Sequence, residues 1–212
     1  MTGSTSLDTY IKSVYGDIEP ESCPFTEAEI KELEDTNELL VYMPSGRTPA
    51  ELCDMWGFRI NVDFTSESYI RTVMNDESHW FITSNSSSPE LLYRSGQEAR
   101  RNYEDEGLHG LDLRRYLAFA AAFRHRWGTL PDQKYWCFLL SGSYDRSGVS
   151  VVGFDGRGVL SHHGWMRNFR AKFAGSRYSV LAPRLEVTAE TETLSRAYRG
   201  QRSKIGLEAA ID

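Results

Sequence analysis

Two adjacent histidines, His162 and His163, are the side chains of this 212-residue chain with the most obvious capacity for chemistry, because imidazole titrates near neutral pH and ligates metals. Neighbours on a strand point to opposite faces, so the pair cannot hold one metal ion between them. Counting back from the Asp155-Gly156 turn pairs His162 with Val151 and His163 with Ser150. On that register His162 shares a face with Leu160 and Val149 and reads as a partly buried, hydrogen-bonded side chain. His163, near Ser161, Ser150 and Trp165, is the better general base. Ser143 or Ser161 would then supply a hydroxyl and Arg167 or Arg170 would stabilise developing negative charge, which together describe a small hydrolase or transferase.

Other arrangements are weaker on physical grounds. Asp145 and Asp155 resemble an acid–base carboxylate pair, but a strand of about six residues at roughly 3.3 Å each separates their turns by on the order of 20 Å. Each Asp therefore reads as a turn former. Gly153-Phe154-Asp155-Gly156-Arg157-Gly158 is rich in glycine, yet it joins two strands where a dinucleotide fingerprint joins a strand to a helix. The sequence holds no G-x-x-x-x-G-K-[ST], G-x-S-x-G, H-E-x-x-H or EF-hand loop, and His79, His109 and His125 have no partner at metal-ligand spacing, so no cofactor or metal is expected. Cys23, Cys53 and Cys137 are odd in number and widely separated, which points to a reducing compartment, and Cys53 and Cys137 read as buried, inert thiols.

The stronger signal is cationic. From Gly156 to Leu185 there is no acidic residue, while Arg157, Arg167, Arg170, Lys172, Arg177 and Arg184 are interleaved with Trp165, Phe169, Phe173 and Tyr178. Such interleaving is what a surface needs in order to neutralise phosphates or carboxylates and to stack on planar groups. Arg157, Arg167, Arg170, Lys172, Arg177 and Trp165 are the nominated anion-binding residues. If residues 166 to 174 are helical, Arg167 and Arg170 lie one turn apart and clamp together. Charge divides the same way along the chain: residues 1 to 110 carry 21 acidic against 8 basic side chains, net −13, and residues 111 to 212 carry 9 against 16, net +7.

These residues depend on elements that the pattern of the chain outlines. Leu7, Tyr10, Ile11 and Val14 repeat at helical spacing within an N-terminal arm, residues 1 to 25. Thr26 with Glu29 and Thr48 with Glu51 are capping boxes that open helices running to about Asp35 and Trp56. Glu38 to Met43 is a buried strand, Phe58 to Phe64 an alternating one, Tyr69 to Met74 a helical repeat and His79 to Thr83 a strand. Ser88 and Pro89 open a helix to about Glu104 with Arg94, Arg100 and Arg101 on its outer face, and Asp112 opens the strongest helix, with Leu113, Tyr116, Leu117, Ala120, Phe123 and Trp127 in one stripe. Three strands, Tyr135 to Ser141, Val149 to Phe154 and Val159 to Trp165, then form a meander, followed by a short helix at Met166 to Phe173 and a last strand from Tyr178 to Val187.

The stretch Tyr135-Trp136-Cys137-Phe138-Leu139-Leu140-Ser141-Gly142-Ser143, with the strand that follows and Gly164-Trp165, resembles part of an uncharacterised bacterial domain family of unknown function. That family has no assigned activity, so the resemblance implies no functional residues. The expected fold is α+β, one domain over residues 26 to 188 with a mixed or mostly antiparallel sheet, its C-terminal meander packed against two central helices, and a basic polar tail at residues 189 to 212. Leu113, Leu117, Phe123, Phe138, Leu140, Val152 and Phe154 are the nominated core. The longest apolar runs fall well short of the roughly 20 residues a spanning helix needs, and no secretory signal opens the chain, so a cytoplasmic location off the membrane is expected. The leading function is non-enzymatic binding of an anionic partner, nucleic acid or an acidic protein surface. The alternatives are the His163 enzyme and an assembly or regulatory protein of a mobile element, whose acidic and basic halves would join copies of the chain.

Overall fold

Three helices begin where a hydroxyl residue stands three positions ahead of a glutamate. Thr26 Oγ1 accepts a hydrogen bond from the Glu29 amide at 3.3 Å, and Glu29 Oε2 accepts from the Thr26 amide at 2.9 Å. The same reciprocal box forms between Thr48 and Glu51 and between Ser95 and Glu98. Each satisfies amide groups that the first helical turn leaves without partners, an effect of about 1 kcal/mol per cap.

The computed structural model describes residues 7–61, 71–72, 77–143 and 148–182. In chain order these form α1 (Leu7–Tyr15), α2 (Glu27–Asp35), β1 (Glu38–Met43), α3 (Pro49–Trp56), β2 (Arg59–Ile60), β3 (Arg71–Thr72), β4 (His79–Ser84), α4 (Gly96–Asp105), β5 (His109–Gly110), α5 (Leu113–Trp127), β6 (Trp136–Leu139), β7 (Gly142–Ser143), β8 (Gly148–Phe154), β9 (Val159–Met166), β10 (Ala174–Ser176) and β11 (Tyr178–Leu181). One sheet, ordered β1-β4-β11-β5, is antiparallel throughout. The other is ordered β10-β6-β8-β9-β2, an antiparallel meander with a parallel strand added at each edge. β3 and β7 pair as a small antiparallel ribbon.

The fold is thus a mixed α+β domain whose meander lies between two helices. Every residue of α5 from Leu113 to Phe123 is buried. Its rings and aliphatic groups share one core with β1, β4, α3 and the inner face of the meander, Cys137, Leu139, Val152, Phe154 and Leu160. A second core covers the opposite face, where Phe138, Leu140, Val149 and Val151 meet Ala99 and Tyr103 of α4, Leu108, Ala171, Ala174 and Tyr178. All seven nominated core residues are buried. The N-terminal segment is anchored as well: Tyr15 donates to the Tyr42 carbonyl at 2.6 Å and Trp56 Nε1 to the Val14 carbonyl at 2.9 Å.

Several expectations change. The helix expected from Ser88 starts at Gly96, because Leu91 and Tyr93 adopt φ of 49° and 64° and Glu90 bridges to Ser176, which turns residues 88 to 94 along the edge of β10. Arg71 and Thr72, within the expected repeat at Tyr69 to Met74, are paired as β3; the rest of that repeat, Val62 to Phe64, Asp145, and everything beyond Ala182, including Arg184 and the basic tail, lie outside the described residues. The helix expected at Met166 to Phe173 is a pair of turns leading into β10. Helical spacing of Met166, Phe169 and Phe173 reflects rings gathered around Trp165 rather than a helix stripe. The hairpin register is offset by one residue, His162 opposite Val152 and His163 opposite Val151, because the turn has three residues with Gly158 at φ 75°, one more than the two-residue turn assumed.

Candidate functional site

β9 separates the two histidines as strand alternation requires, and their environments differ accordingly. His162 is buried on the inner face beside Leu160, and burial, with His163 next to it, lowers its pKa to about 4, so it is neutral at pH 7. His163 is exposed, its ring 5.2 Å from that of Trp136 in an edge-on contact. The corrected register moves Ser150 opposite Gly164, onto the inner side with His162, and away from His163. Ser143 contributes backbone to β7, and its side chain is outside the description. Among the described residues no hydroxyl or carboxylate is hydrogen-bonded to the His163 ring, and the expected pairing with Ser143 falls on a side chain outside them.

Around Trp165 the same strand builds an aromatic cluster. Trp136, Phe138, Phe169 and Phe173 surround its ring with centroids at 5.6, 5.9, 5.2 and 6.3 Å, mostly edge-on, the geometry favoured by ring quadrupoles. Phe138 is fully buried, whereas Phe169 and Phe173 are 42% and 49% exposed, so the cluster has a packed root and a wet rim. Leu92 and Tyr93, also exposed, flank the edge at β10, where the Tyr93 amide donates to the Ala174 carbonyl at 3.1 Å. Alternation puts Met166, the most exposed large apolar side chain of the described residues, on the other face from Trp165.

The nominated cations are placed very differently from one another. Arg177, expected on the surface, is wholly buried at the single residue where the chain leaves β10 in one sheet and enters β11 in the other. Its Nε and Nη2 donate to Asp132 at 3.1 and 2.6 Å, Nη1 to Ser84 Oγ at 3.1 Å and Nη2 to the Ser86 carbonyl at 2.9 Å, while the guanidinium carbon lies 4.4 Å from the centre of the Phe119 ring. With all three guanidinium nitrogens bonded inside the fold, it is a structural cation. Arg157, at the hairpin turn, and Arg167 lie beyond opposite ends of β9, whose 8 residues span on the order of 25 Å at about 3.3 Å each, so they belong to no common patch.

Arg170 is exposed but committed. It forms a forked ion pair with Glu98, Nε to Oε2 at 2.9 Å and Nη2 to Oε1. Glu98 also accepts from the Ser95 amide and hydroxyl, and the amide bond first, then Arg170 and the hydroxyl, hold its pKa at about 2. The Arg167 carbonyl accepts from the Gln97 amide at 3.0 Å, so the segment after β9 is latched to the first turn of α4 at two points. That latch positions Arg167, Phe169, Lys172 and Phe173, all exposed, in one short irregular segment.

Beside the latch is a cleft of about 230 Å³ lined by Gly96, Gln97, Arg100, Arg101, Glu104, Gly148, Val149 and Arg167. Among the described residues of its lining, three side chains are arginines and one is a glutamate. Arg100 and Arg101 come from the acidic half of the chain, and the sequence placed them on the outer face of a helix without linking them to Arg167. The bond from the Gln97 amide to the Arg167 carbonyl, between positions 70 residues apart, makes that connection. Among the described residues no group of three or more histidine, cysteine or acidic side chains is arranged to hold a metal ion. Both cysteines expected to be inert are buried, which pushes the Cys53 thiol up to about 12 and Cys137 well above its ordinary range. No helix of the described residues is long and apolar enough to cross a membrane.

No family model, curated protein or solved structure matches the chain. The chemistry of the face therefore rests on its own side chains.

Proposed function

We propose that the protein is a binding module that docks an acidic, partly apolar segment of another protein on the face built by Trp165, Phe169 and Phe173. The observation that supports it best is the pair of half-exposed phenylalanines held edge-on against a packed tryptophan, with Arg167 and Lys172 in the same segment. Exposed rings of this kind lose apolar surface to water in the free protein, and covering them is favourable by about 25 cal/mol per Å². Aromatic residues and Arg around a packed centre are the composition of protein interfaces. A protein partner is favoured over nucleic acid because Arg177 is neutralised inside the fold and Arg170 is matched by Glu98, which takes two of the five nominated cations away from a phosphate backbone.

The test uses fluorescence anisotropy with a labelled library of acidic peptides containing Phe, Leu or Tyr, alongside a labelled oligo-dT. Peptides binding in the micromolar range, with a loss on the order of tenfold for Phe169→Ser or Phe173→Ser and for Lys172→Glu, is the expected result. Oligo-dT binding that exceeds every peptide, or no peptide binding at low salt, overturns the reading.

A further inference from the structure

Residues 88 to 94 lie along the outer edge of β10 as an irregular strap and not as a strand. Glu90 and Ser176 exchange both backbone hydrogen bonds at 2.8 Å, the closed pair of an antiparallel ladder. In a regular ladder the next closed pair is two residues on, which would set Leu92 against Ala174. It is instead the Tyr93 amide that donates to the Ala174 carbonyl, so the strap carries one residue more than the edge accommodates. Leu91 and Tyr93 absorb the excess at φ of 49° and 64°, a region that side chains rarely adopt, and Leu92 and Tyr93 are left exposed. What the strap sends inward is a carboxylate and a leucine. Glu90 Oε2 accepts from the Tyr103 hydroxyl at 3.4 Å, and that hydroxyl accepts from Ser176 Oγ at 3.1 Å. Burial raises the Glu90 pKa, while the nearby Arg177 charge opposes the shift. Leu91 packs against the core shared by α4 and the meander.

We propose that the edge of β10 is a strand-addition site, held in the free protein by the chain's own residues 88–94 and taken over by the docked partner as a straight segment whose glutamate replaces Glu90 against Tyr103. The proposal rests on the docking face described above and names where an acidic residue of that segment goes. Strand addition draws affinity from main-chain bonds and selectivity from side-chain pockets. Here the pocket is built by Tyr103 of α4 and Ser176 of β10, so it persists when the strap lifts. Both ends of the strap are anchored elsewhere: the Ser86 and Ser87 carbonyls accept from Arg177 and Asp132, and Ser95 caps α4. The strap itself, Glu90-Leu91-Leu92-Tyr93, has the acidic and apolar composition of the docked segment. Phe173 immediately precedes β10, so a strand running from Ser176 to Ala174 continues to that ring. A straight segment reaches Ala174 without the extra residue, whereas the strap competes through its tether.

The experiment measures fluorescence anisotropy of a labelled peptide reproducing residues 87–95, the same peptide with glutamine at its glutamate, and the acidic library peptides. Each is titrated with the full chain and with its Glu90→Ala and Tyr93→Asn variants, whose folding is checked by thermal melts. Glu90→Ala empties the pocket and loosens the tethered competitor, so it should bind the glutamate peptide about tenfold more tightly than the native chain does. The glutamine peptide should bind about fivefold more weakly than the glutamate peptide. Asn tolerates the left-handed region, so Tyr93→Asn should hold the strap in place and weaken the peptide by about threefold, a reading that survives if Glu90→Ala fails to fold. Affinities unchanged by both variants overturn the strand-addition site, while the docking face, read by Phe169→Ser and Phe173→Ser, stands. Equal binding of the glutamate and glutamine peptides overturns the carboxylate pocket. Failure of every peptide on all three proteins removes the docking face, and the edge site with it.

Discussion

At the scale of single residues, the two cationic side chains that differ most are ten positions apart in sequence. Arg167 ends at a surface cleft, and Arg177 is buried against Asp132 with Tyr116, at 3.1 Å, donating to the same carboxylate. Burial of the guanidinium opposes its charge, and Asp132 outweighs that penalty and holds the Arg177 pKa above its ordinary value. Removing one partner of such a pair leaves an uncompensated buried charge, which costs about 3–5 kcal/mol. Asp132→Ala should therefore lower stability by that order in urea denaturation, whereas the double variant Arg177→Met with Asp132→Leu should lose far less than the two single variants combined. Strict additivity in that cycle would show that the pair is not coupled.

At the scale of elements, the edge strand β10 is where the fold is least tolerant. A Cβ built on Gly175 would stand 2.2 Å from the Glu90 carbonyl oxygen, a backbone atom that cannot swing aside. Glu90 and Ser176 exchange both backbone hydrogen bonds at 2.8 Å across this contact, and they hold residues 88 to 94 along the edge and keep α4 from starting at Ser88. Gly175→Ala should cost about 2 kcal/mol or more. Hydrogen exchange should then show lost protection at Glu90, Tyr93 and Ser176, with the α5 amides remaining protected relative to these. Retained protection at Ser176 would disprove the tight approach. Helix stripes and caps made α2, α3 and α5 readable because their signals lie within a few residues; α4 was misplaced because its true start depends on a strand 80 residues away.

At the scale of the whole molecule, stability should fall on mild acidification. His162 binds its proton near pH 4 in the fold and near 6.5 when unfolded, and His79 is shifted downward by burial as well. The unfolded chain thus holds more protons between these values, so stability is full above about pH 6.5 and is lost as the pH falls towards 4. His162 alone contributes about 3 kcal/mol to that loss, from 1.36 kcal/mol per pKa unit. Urea denaturation from pH 7.5 to 4.5 should show the decline in the native protein and a flatter profile in His162→Leu. An identical slope in the two proteins would place the effect elsewhere.

Local pattern alone determined the α+β class, the meander, the capped helices α2, α3 and α5 and the nominated core residues, since periodicity, caps and turns act between near neighbours. It also put His162 and His163 on opposite faces, although the three-residue turn altered their partners. The fates of the arginines were decided by tertiary structure. Nothing adjacent to Arg177 announces that Asp132 will meet it inside the fold, and nothing near Arg100 and Arg101 announces Arg167. A charge is buried, latched or left at the surface according to which distant carboxylate or strand end the packing brings to it, and that pairing has no period along the chain.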